Sequence, residues 1–393
     1  MIREITHVCR HMKKRAPGSE GEKEAADYMA KTLRNECGLQ QVVSETFSEH
    51  PGAFYGYLYF SCVLDILTCA LFFVGPWFSI VAGILSLLLF ILQFVLYFEI
   101  IDCFFPKKDS VNVTAIRPCS GEVKQRIFIN GHIDAAWEWP LNYYFNGVVF
   151  EAHGVAAVLG VLYYIALSIC TLSGAGKWTL IAGYIGIIFV PVWIGLCFLR
   201  NKKLVVDGAN DNLTGCYLGI SVLKEMEEQG ITLENTEVGV ILTGSEECGL
   251  RGAKAWCKAH KDDYSDVPTY IYVFDTLHDP EFLMVNKIDL NGTLKSDPVL
   301  SELFLKGAEE AGVPCKSGWV PPMGGSTDSS AFTKGGFRSV AITGLNHKLE
   351  DYYHTRKDSY DNLNAEGIEN CYKALVHTIC LIDDETGEKR DSE

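Results

Sequence analysis

The sequence predicts an α/β fold in which a mostly parallel mixed sheet is sandwiched by helices, with four inserted transmembrane helices that form two hairpins. One observation is that short apolar runs alternate with amphipathic segments through the second half of the chain, which is typical of a parallel sheet. The other is a conflict within the composition. The 393 residues carry a formal net charge of -15, yet 48% of them are hydrophobic and the mean hydropathy is +0.11, so the apolar residues must be concentrated in particular segments.

Two tracts, residues 54–105 and 141–199, contain this excess of apolar residues. Their only charged residues are Asp65, Glu99 and Asp102 in the first tract and Glu151 and Lys177 in the second. A helix needs roughly 20 apolar residues to cross a bilayer core, and each tract has about twice that number with a break near its middle. We therefore expect two helical hairpins, with spans at Tyr55–Val74, Ile80–Ile100, Val155–Leu172 and Trp178–Leu199.

Basic residues near the ends of the spans indicate the orientation. Lys107 and Lys108 follow the second span, Arg200, Lys202 and Lys203 follow the fourth, and Lys177 is the only basic residue in either connecting turn. By the positive-inside rule, the chain ends and the acidic soluble domain face the cytoplasm. We therefore expect a multi-pass integral membrane protein with the lipid bilayer as a partner. Asp65 falls inside the first span, where a charge is expensive unless it is paired or protonated.

The composition also excludes several classes of protein. Disorder, collagen and a small disulfide scaffold do not fit it. The acidic pI of about 5.2 argues against a nucleic-acid-binding surface, so we expect no nucleic-acid partner. The 14 cysteines include no C-x-x-C pair, and therefore suggest neither a zinc ribbon nor a redox pair.

The soluble segments contain the elements of the sheet. Ser19 and Glu22 stand in capping-box register and predict the start of a helix. Val42–Phe47 predicts a strand, and Val111–Ile116 and Arg126–Asn130 predict two strands paired around a turn at Ser120-Gly121. From this point strands and helices alternate. The further strands are expected at Val238–Thr243, Thr269–Phe274 and Ser339–Thr343, and the helices at Leu213–Gln229, Leu250–Ala259, Pro298–Ala311 and Ala365–Ile382.

Histidines and carboxylates stand at the carboxyl ends of these strands or in the loops that follow, where ligands of such sheets gather. They lie in the segments Gly131-His132-Ile133-Asp134, Asp207-Gly208-Ala209-Asn210-Asp211-Asn212, Gly244-Ser245-Glu246-Glu247, Phe274-Asp275 and Tyr352-Tyr353-His354-Thr355. Imidazole and carboxylate without thiolate suit zinc, with manganese or cobalt as substitutes. Two histidines and three carboxylates are too many for one catalytic zinc, but they suit two metals about 3.5–4 Å apart that share Asp211.

The Glu246-Glu247 pair carries chemical information of its own. Adjacent side chains at a strand end point apart, so one carboxylate can bind metal while its neighbour accepts a proton from water. Most adjacent glutamates in an acidic protein are merely solvated. The position of this pair, after an apolar strand and before Cys248-Gly249-Leu250, favours the functional interpretation.

These segments resemble the signature segments of metallopeptidase family 28 of clan MH, the dinuclear-zinc aminopeptidases and the glutamate carboxypeptidase relatives. The resemblance implies a zinc aminopeptidase-like fold with two Zn²⁺ per chain. It implies that Asp211 bridges the metals, that His132 and Asp275 complete one site, and that Glu247 and His354 complete the other. Glu246 is then the general base, Asp134 orients the His132 ring, and Tyr353 hydrogen-bonds the oxyanion. Asp328, in a segment that resembles one near the family's substrate pocket, is a weaker candidate.

The apolar tracts and the resemblance together give a domain organisation and an activity, and the membrane hairpins depart from the family's usual pattern. We expect residues 1–53, 106–154 and 200–393 to form the catalytic domain, and residues 54–105 and 155–199 to form the two transmembrane hairpins. The leading hypothesis is a membrane-anchored zinc exopeptidase, an aminopeptidase acting on peptides. The alternatives are a hydrolase of another amide, such as an N-acyl amino acid or a lipidated peptide, and a non-catalytic receptor-like relative. The sequence does not specify the oligomeric state.

Overall fold

The computed structural model describes residues 1–346 and 351–388, with the side chains of 385–388 left out. The chain divides into two compact units. The first contains Met1–Glu49, Lys107–Trp137 and Val205–Glu393, and the second contains His50–Pro106 and Glu138–Leu204. Each unit is built from segments that are distant in the sequence.

The first unit is organised around an eight-stranded sheet with the order β1-β2-β4-β3-β5-β10-β6-β9, and β7 and β8 form a separate two-stranded sheet. The strands are β1 Val42–Glu49, β2 Lys108–Arg117, β3 Gln125–His132, β4 Thr236–Thr243, β5 Thr269–Leu277, β6 Leu283–Asn286, β7 Ile288–Asp289, β8 Leu294–Lys295, β9 Lys316–Gly318 and β10 Arg338–Gly344. The four central strands, β4, β3, β5 and β10, are mutually parallel. The mixed, helix-flanked sheet expected from the sequence is therefore confirmed.

The predicted pairing of the strands at Val111–Ile116 and Arg126–Asn130 is wrong. β2 instead pairs antiparallel with β1 and with β4, and β3 pairs parallel with β4 and β5. The connection between β2 and β3 does not form a hairpin because its backbone is bonded elsewhere: Ser120 N donates to Leu233 O at 2.9 Å and Gly121 N to Glu234 O at 2.8 Å. β4 thereby lies between two strands that are neighbours in sequence.

Helices cover both faces of this sheet. They are α1 Ile2–His11, α2 Glu20–Asn35, α9 Thr214–Glu228, α10 Arg251–His260, α11 Pro298–Glu310, α12 Asp328–Gly335 and α13 Ala365–Glu388. Alternate residues of β3 show the two faces. Ile129 faces α9, where a Cβ on Gly219 would lie 3.1 Å from it, whereas the Phe128 ring lies 5.8 Å from the Trp256 ring of α10. The strand is thus buried on both sides, which explains its unbroken apolar sequence.

The second unit consists of helices. They are α3 Ala53–Phe72, α4 Pro76–Phe90, α5 Pro140–Tyr144, α6 Gly147–Leu172, α7 Trp178–Gly186 and α8 Val190–Leu196. A π turn at Ile91–Val95 extends α4, and a 3-10 turn at Ile187–Phe189 joins α7 to α8. Four helical stretches are long and apolar enough to span a membrane: Ala53–Phe72, Pro76–Val95, Gly147–Leu172 and Trp178–Leu196. The third begins eight residues before its predicted start at Val155.

Polar side chains of the second unit turn inward, and apolar ones turn outward. The buried Asp65 accepts a hydrogen bond from Ser86 Oγ at 2.5 Å, and Ser79 Oγ donates to Thr68 O at 2.7 Å. By contrast, Phe78 is 61% exposed and Ile188 is 71% exposed. A surface of this kind is unfavourable in water but suits contact with lipid.

Candidate metal centre

The fold brings the predicted site residues together at one edge of the sheet of the first unit. His132 is the last residue of β3, Asp275 lies near the end of β5, and the Glu246-Glu247 pair follows the last residue of β4. Asp211 lies in the segment Ala209–Leu213 that leads into α9, at a kink where its own backbone is non-helical, with φ -114° and ψ 86°. Because β3, β4 and β5 are parallel neighbours, their carboxyl ends converge there.

Asp211 is the centre of this arrangement. Its Oδ1 lies 3.1 Å from His132 Nε2, and its Oδ2 lies 3.0 Å from His354 Nε2. His354 Nε2 also lies 3.2 Å from Glu247 Oε1. One carboxylate therefore presents a different oxygen to each histidine, as a ligand shared between two metals would.

Among the residues that the structure describes, three groups of buried ligand atoms are close enough to hold a metal ion, with the atoms of each group within 4.8 Å of one another. The groups are His132, Asp211 and Asp275; Asp211, Glu247 and His354; and His132, Glu246 and Glu247. Asp211 is common to the first two. Those two groups contain the same residues as the two ligand sets that the sequence resemblance implies.

The electrostatics of the cluster favour bound cations. Burial opposes the charging of both histidines, but the surrounding carboxylates raise the pKa of His354 to about 10 and that of His132 well above its ordinary value. Burial and the neighbouring Asp211 raise the pKa of Asp275 to about 7. Buried acids outnumber the histidines, and this excess of negative charge requires compensation. The donor set, nitrogen and oxygen without sulfur, fits zinc.

Glu246 lies beside the cluster without joining the two groups that share Asp211. Its Oε2 is 3.9 Å from His132 Nε2. Burial is the main cause that raises the pKa of Glu246 well above its ordinary value, and the charges of Asp328 and Glu247 act in the same direction while His132 opposes them. Glu246 is therefore a carboxyl group close to the cluster and shielded from bulk water.

Asp134 contacts both the His132 ring and the backbone of the segment that carries Glu246 and Glu247. Its Oδ1 and Oδ2 accept hydrogen bonds from the backbone N–H groups of Glu246 and Glu247, each at 3.0 Å. The His132 Nδ1 atom lies 3.2 Å from the Asp134 carbonyl oxygen and 3.5 Å from its Oδ1. Asp134 thus holds the Glu246-Glu247 backbone with its side chain, and both its carboxylate and its carbonyl oxygen lie near His132 Nδ1. Its role as the orienter of His132 stays a prediction.

The loop of Asp211 is fixed by residues to which sequence reasoning assigned no role. Asp358 accepts hydrogen bonds from Asn210 N at 2.8 Å and from Asp211 N at 3.2 Å. The buried Arg15 donates to Ile133 O at 2.7 Å and to Gly208 O at 3.0 Å. The peptide bond between Asp211 and Asn212 is cis. No local pattern singles out Arg15, because its partners lie more than 100 residues away.

Tyr353 and Asp328 complete the surroundings. The Tyr353 ring stacks on the His354 ring with centroids 4.1 Å apart, and burial with the charges of Asp211 and Asp275 raises the pKa of Tyr353 well above its ordinary value. Asp328 is buried at the start of α12 and accepts a hydrogen bond from Thr243 Oγ1. Thr243 is the last residue of β4, so Asp328 supports the strand end rather than a ligand directly.

Several residues at the site have a left-handed backbone conformation although they are not glycine. The φ angle is +51° at His354, +55° at Ser245 and +50° at Thr276, which follows Asp275. Such conformations cost about 1–3 kcal/mol each and persist where the surroundings hold them, often at functional sites.

Comparison with known proteins agrees with this geometry. Residues 198–379 match the sequence profile of Peptidase family M28. The fold is similar to that of the zinc aminopeptidase BSAP from Bacillus subtilis, with a TM-score of 0.57 and 13% identity over 96% of this chain and 93% of that chain. It is also similar to the aminopeptidase from Aneurinibacillus sp. strain AM-1, with a TM-score of 0.56 and 12% identity over 96% and 92% of the two chains.

A further solved structure, Fimbriiglobus ruber glutaminyl cyclase, has a TM-score of 0.57 and 13% identity over 96% of this chain and 93% of that chain. At these identities the likeness shows the fold. No curated protein matches the sequence. The match of residues 198–379 to Peptidase family M28 and the fold shared with zinc aminopeptidases define the class of the protein: the chain is a metallopeptidase, a hydrolase.

Proposed function

We propose that the protein is a membrane-anchored exopeptidase that uses two zinc ions per chain and removes N-terminal residues from peptides. The observation that carries this proposal is the position of Asp211, whose two oxygens face different histidines at 3.1 and 3.0 Å. The fold is similar to that of a Bacillus subtilis protein described as a zinc aminopeptidase, and this similarity supports both zinc as the metal and aminopeptidase activity as the reaction.

In this proposal His132, Asp211 and Asp275 would hold one zinc, and Asp211, Glu247 and His354 the other. When bound, such metals lower the pKa of water and polarise a carbonyl group. The remaining work falls to the side chains around them.

Glu246 is the proposed proton carrier. Its carboxylate lies beside the ligands, 3.9 Å from His132 Nε2, and its backbone is held by Asp134. From this position the Glu246 carboxylate accepts a proton from the attacking water and delivers it to the nitrogen of the leaving amine, so that the amide C–N bond breaks as a C–O bond forms. Tyr353, whose ring stacks on His354, donates its hydroxyl hydrogen to the developing oxyanion.

The anchoring rests on the second unit. Four stretches are long and apolar enough to cross a bilayer, the outer side chains are apolar, and polar groups such as Asp65 and Ser86 pair inside. Every residue assigned to the metal centre belongs to the first unit. The basic residues that follow the second and fourth spans put the catalytic unit in the cytoplasm.

Zinc content and one variant test the function directly. Purified wild-type protein should contain close to two zinc ions and release N-terminal residues from a peptide library. Glu246→Gln should retain the zinc and lose turnover, whereas Glu302→Gln, at a surface position 69% exposed, should keep both. Active protein without metal would contradict the proposal. A library that includes peptides with N-terminal glutamine and N-acyl amino acids separates peptide hydrolysis from cyclisation and from hydrolysis of other amides.

A further inference from the structure

The segment that carries the Glu246-Glu247 pair is held through four consecutive backbone N–H groups. Each of them donates to a buried side chain: Gly244 N to Asn112 Oδ1 at 3.1 Å, Ser245 N to Glu22 Oε1 at 2.7 Å, Glu246 N to Asp134 Oδ1 at 3.0 Å and Glu247 N to Asp134 Oδ2 at 3.0 Å. The acceptors come from β2, from α2 and from the loop after β3. Three separate parts of the first unit therefore determine where the pair lies.

Glu22 has more contacts than a helix cap requires. Ser19 Oγ accepts a hydrogen bond from Glu22 N at 3.3 Å, which is the Ser19 half of a capping box, while Glu22 Oε2 accepts one from Gly18 N, the residue before the N-cap, at 3.0 Å. Glu22 Oε1 accepts hydrogen bonds from Ser245 N at 2.7 Å and from Ser245 Oγ at 3.1 Å. These two residues are 223 positions apart.

Capping of α2 also does not explain why the Glu22 side chain is fully buried. Capping glutamates act equally well at an exposed helix start, whereas removing a carboxylate from water is costly unless it is fully hydrogen-bonded. The contact with Ser245 therefore calls for an explanation outside α2.

Ser245 needs an external restraint. Its φ angle of +55° lies in the left-handed region, which residues other than glycine rarely adopt. The conformation of Ser245 also sets the direction in which the next residue, Glu246, leaves the strand. Glu22 bonds both polar groups that Ser245 directs toward it. A carboxyl group is well suited to this, because one of its oxygens can accept two hydrogen bonds.

We propose that Glu22 is a positioning residue for Glu246: it holds Ser245 in the left-handed conformation and so sets the place of the proton-carrying carboxylate. This inference rests on the proposed hydrolytic function. Glu22 does not touch the substrate or the metal ligands. Its effect should therefore appear in kcat and in the mobility of the loop, and not in metal content.

Glu22→Asp tests this with the charge preserved. The shorter side chain can still serve Gly18, which lies in the same local segment, but it cannot also reach Ser245. We expect kcat to fall roughly 10- to 100-fold, as small misplacements of catalytic groups do, with KM within about twofold and the zinc content unchanged. Ser19→Ala is the matched control, because it weakens the same capping box and leaves the Ser245 contact intact; its kcat should stay near the wild-type value.

Amide hydrogen exchange supplies a readout that does not depend on activity. In Glu22→Asp, a peptide covering residues 243–249 should exchange faster than in the wild type, while in Ser19→Ala it should not. Unchanged exchange in folded Glu22→Asp overturns the proposal, and so does a kcat equal to that of Ser19→Ala.

Two further comparisons separate the possible failures. If Glu22→Asp does not fold, Ser245→Ala removes the hydroxyl hydrogen bond to Glu22, together with the weaker one to Glu49 at 3.3 Å, without altering α2. Faster exchange of residues 243–249 in Ser245→Ala supports the proposal, and unchanged exchange overturns it. If zinc-loaded wild-type protein hydrolyses no amide, the proposed function fails, while the exchange experiment still decides whether Glu22 holds the loop.

Discussion

Asp358 accepts two hydrogen bonds from Asn210, one from its backbone N–H at 2.8 Å and one from its side-chain amide at 3.0 Å. Asn210 immediately precedes Asp211, whose own N–H also donates to Asp358. A buried carboxylate that is not itself in any ligand group therefore fixes the backbone from which the central ligand projects. Partners of this kind position metal ligands as effectively as the ligands' own rotamers do.

Asp358→Asn should weaken zinc binding, because the amide replaces one of the acceptor oxygens that receive the Asn210 and Asp211 N–H groups. We expect a loss of about 10- to 100-fold in metal affinity, the range found for such supporting residues. Competition with a zinc chelator measures it. Asp361→Asn, at an exposed neighbouring position, is the control and should bind zinc like the wild type. Equal affinity in the two variants would contradict the assigned role.

Metal stoichiometry should distinguish the ligands. Asp275 and His354 each belong to only one of the ligand groups, whereas Asp211 belongs to two. Asp275→Ala and His354→Ala should therefore each reduce the zinc content from about two ions to about one, and Asp211→Ala should abolish tight binding of both, since a catalytic zinc wants about three protein ligands. Elemental analysis of purified variants gives the ratio. Two ions retained in Asp211→Ala would refute the shared-ligand arrangement.

The stability of the first unit should depend on pH through His260. Its Nε2 lies 2.5 Å from Glu45 Oε2 and its Nδ1 lies 2.9 Å from Asp263 Oδ2. Burial opposes the charged ring, but these two carboxylates prevail and raise its pKa above the ordinary value of 6.5.

When folding raises the pKa of a histidine, the charged ring stabilises the folded state, and this contribution is complete at pH values below the pKa of 6.5 that the histidine has in the unfolded chain. The contribution is lost as the pH rises through the higher pKa of the folded state. His260→Gln should therefore lower Tm at pH 6 and have little effect at pH 9. Because both carboxylates are more than a third exposed, the loss at pH 6 should be only about 0.5–1 kcal/mol. Lys373→Gln, which removes an exposed pair with Glu369, should show no such difference between the two pH values. A larger effect of His260→Gln at pH 9 would reverse the assigned sign.

The pair Asp65 and Ser86 should stabilise the second unit. Ser86→Ala leaves the buried carboxyl of Asp65 without its donor, and we expect a destabilisation of about 1 kcal/mol, within the range of hydrogen bonds between transmembrane helices. Unfolding in detergent micelles measures it. Ser173→Ala is the matched control, because that hydroxyl is exposed and bonds only within its own helix. Equal stability of the two variants would argue against a structural role for the pair.

Labelling of intact cells tests the orientation. Gly174 lies in the turn between α6 and α7, with open space around its Cα. A tag there should be reached only from outside the cell, and a tag at the C-terminus only from inside, because the basic residues flank the opposite ends of the spans. The reverse pattern would place the catalytic unit outside the cytoplasm.

Periodicity and composition were sufficient for most of the fold. The four parallel strands, the large helices and the apolar hairpins follow from local patterns of hydrophobicity. The strands lie within a few residues of their predicted places, whereas the third apolar span begins eight residues early. The pairing of β2 was predicted wrongly because β4, more than 100 residues further along, competes for the same edge. The strands β6, β7, β8 and β9 and helix α12 are too short for a hydrophobic period to be recognised in them.

By itself, the sequence determined the class of this protein. It specified the order of strands and helices, the residue types at the strand ends and the apolar segments, because each depends on neighbours along the chain. Only the tertiary structure decided that Asp211 faces two histidines, that Arg15 and Asp358 hold its loop, and that Glu22 reaches Ser245. Those contacts join residues that packing alone brings together, and no local pattern encodes the distance between them.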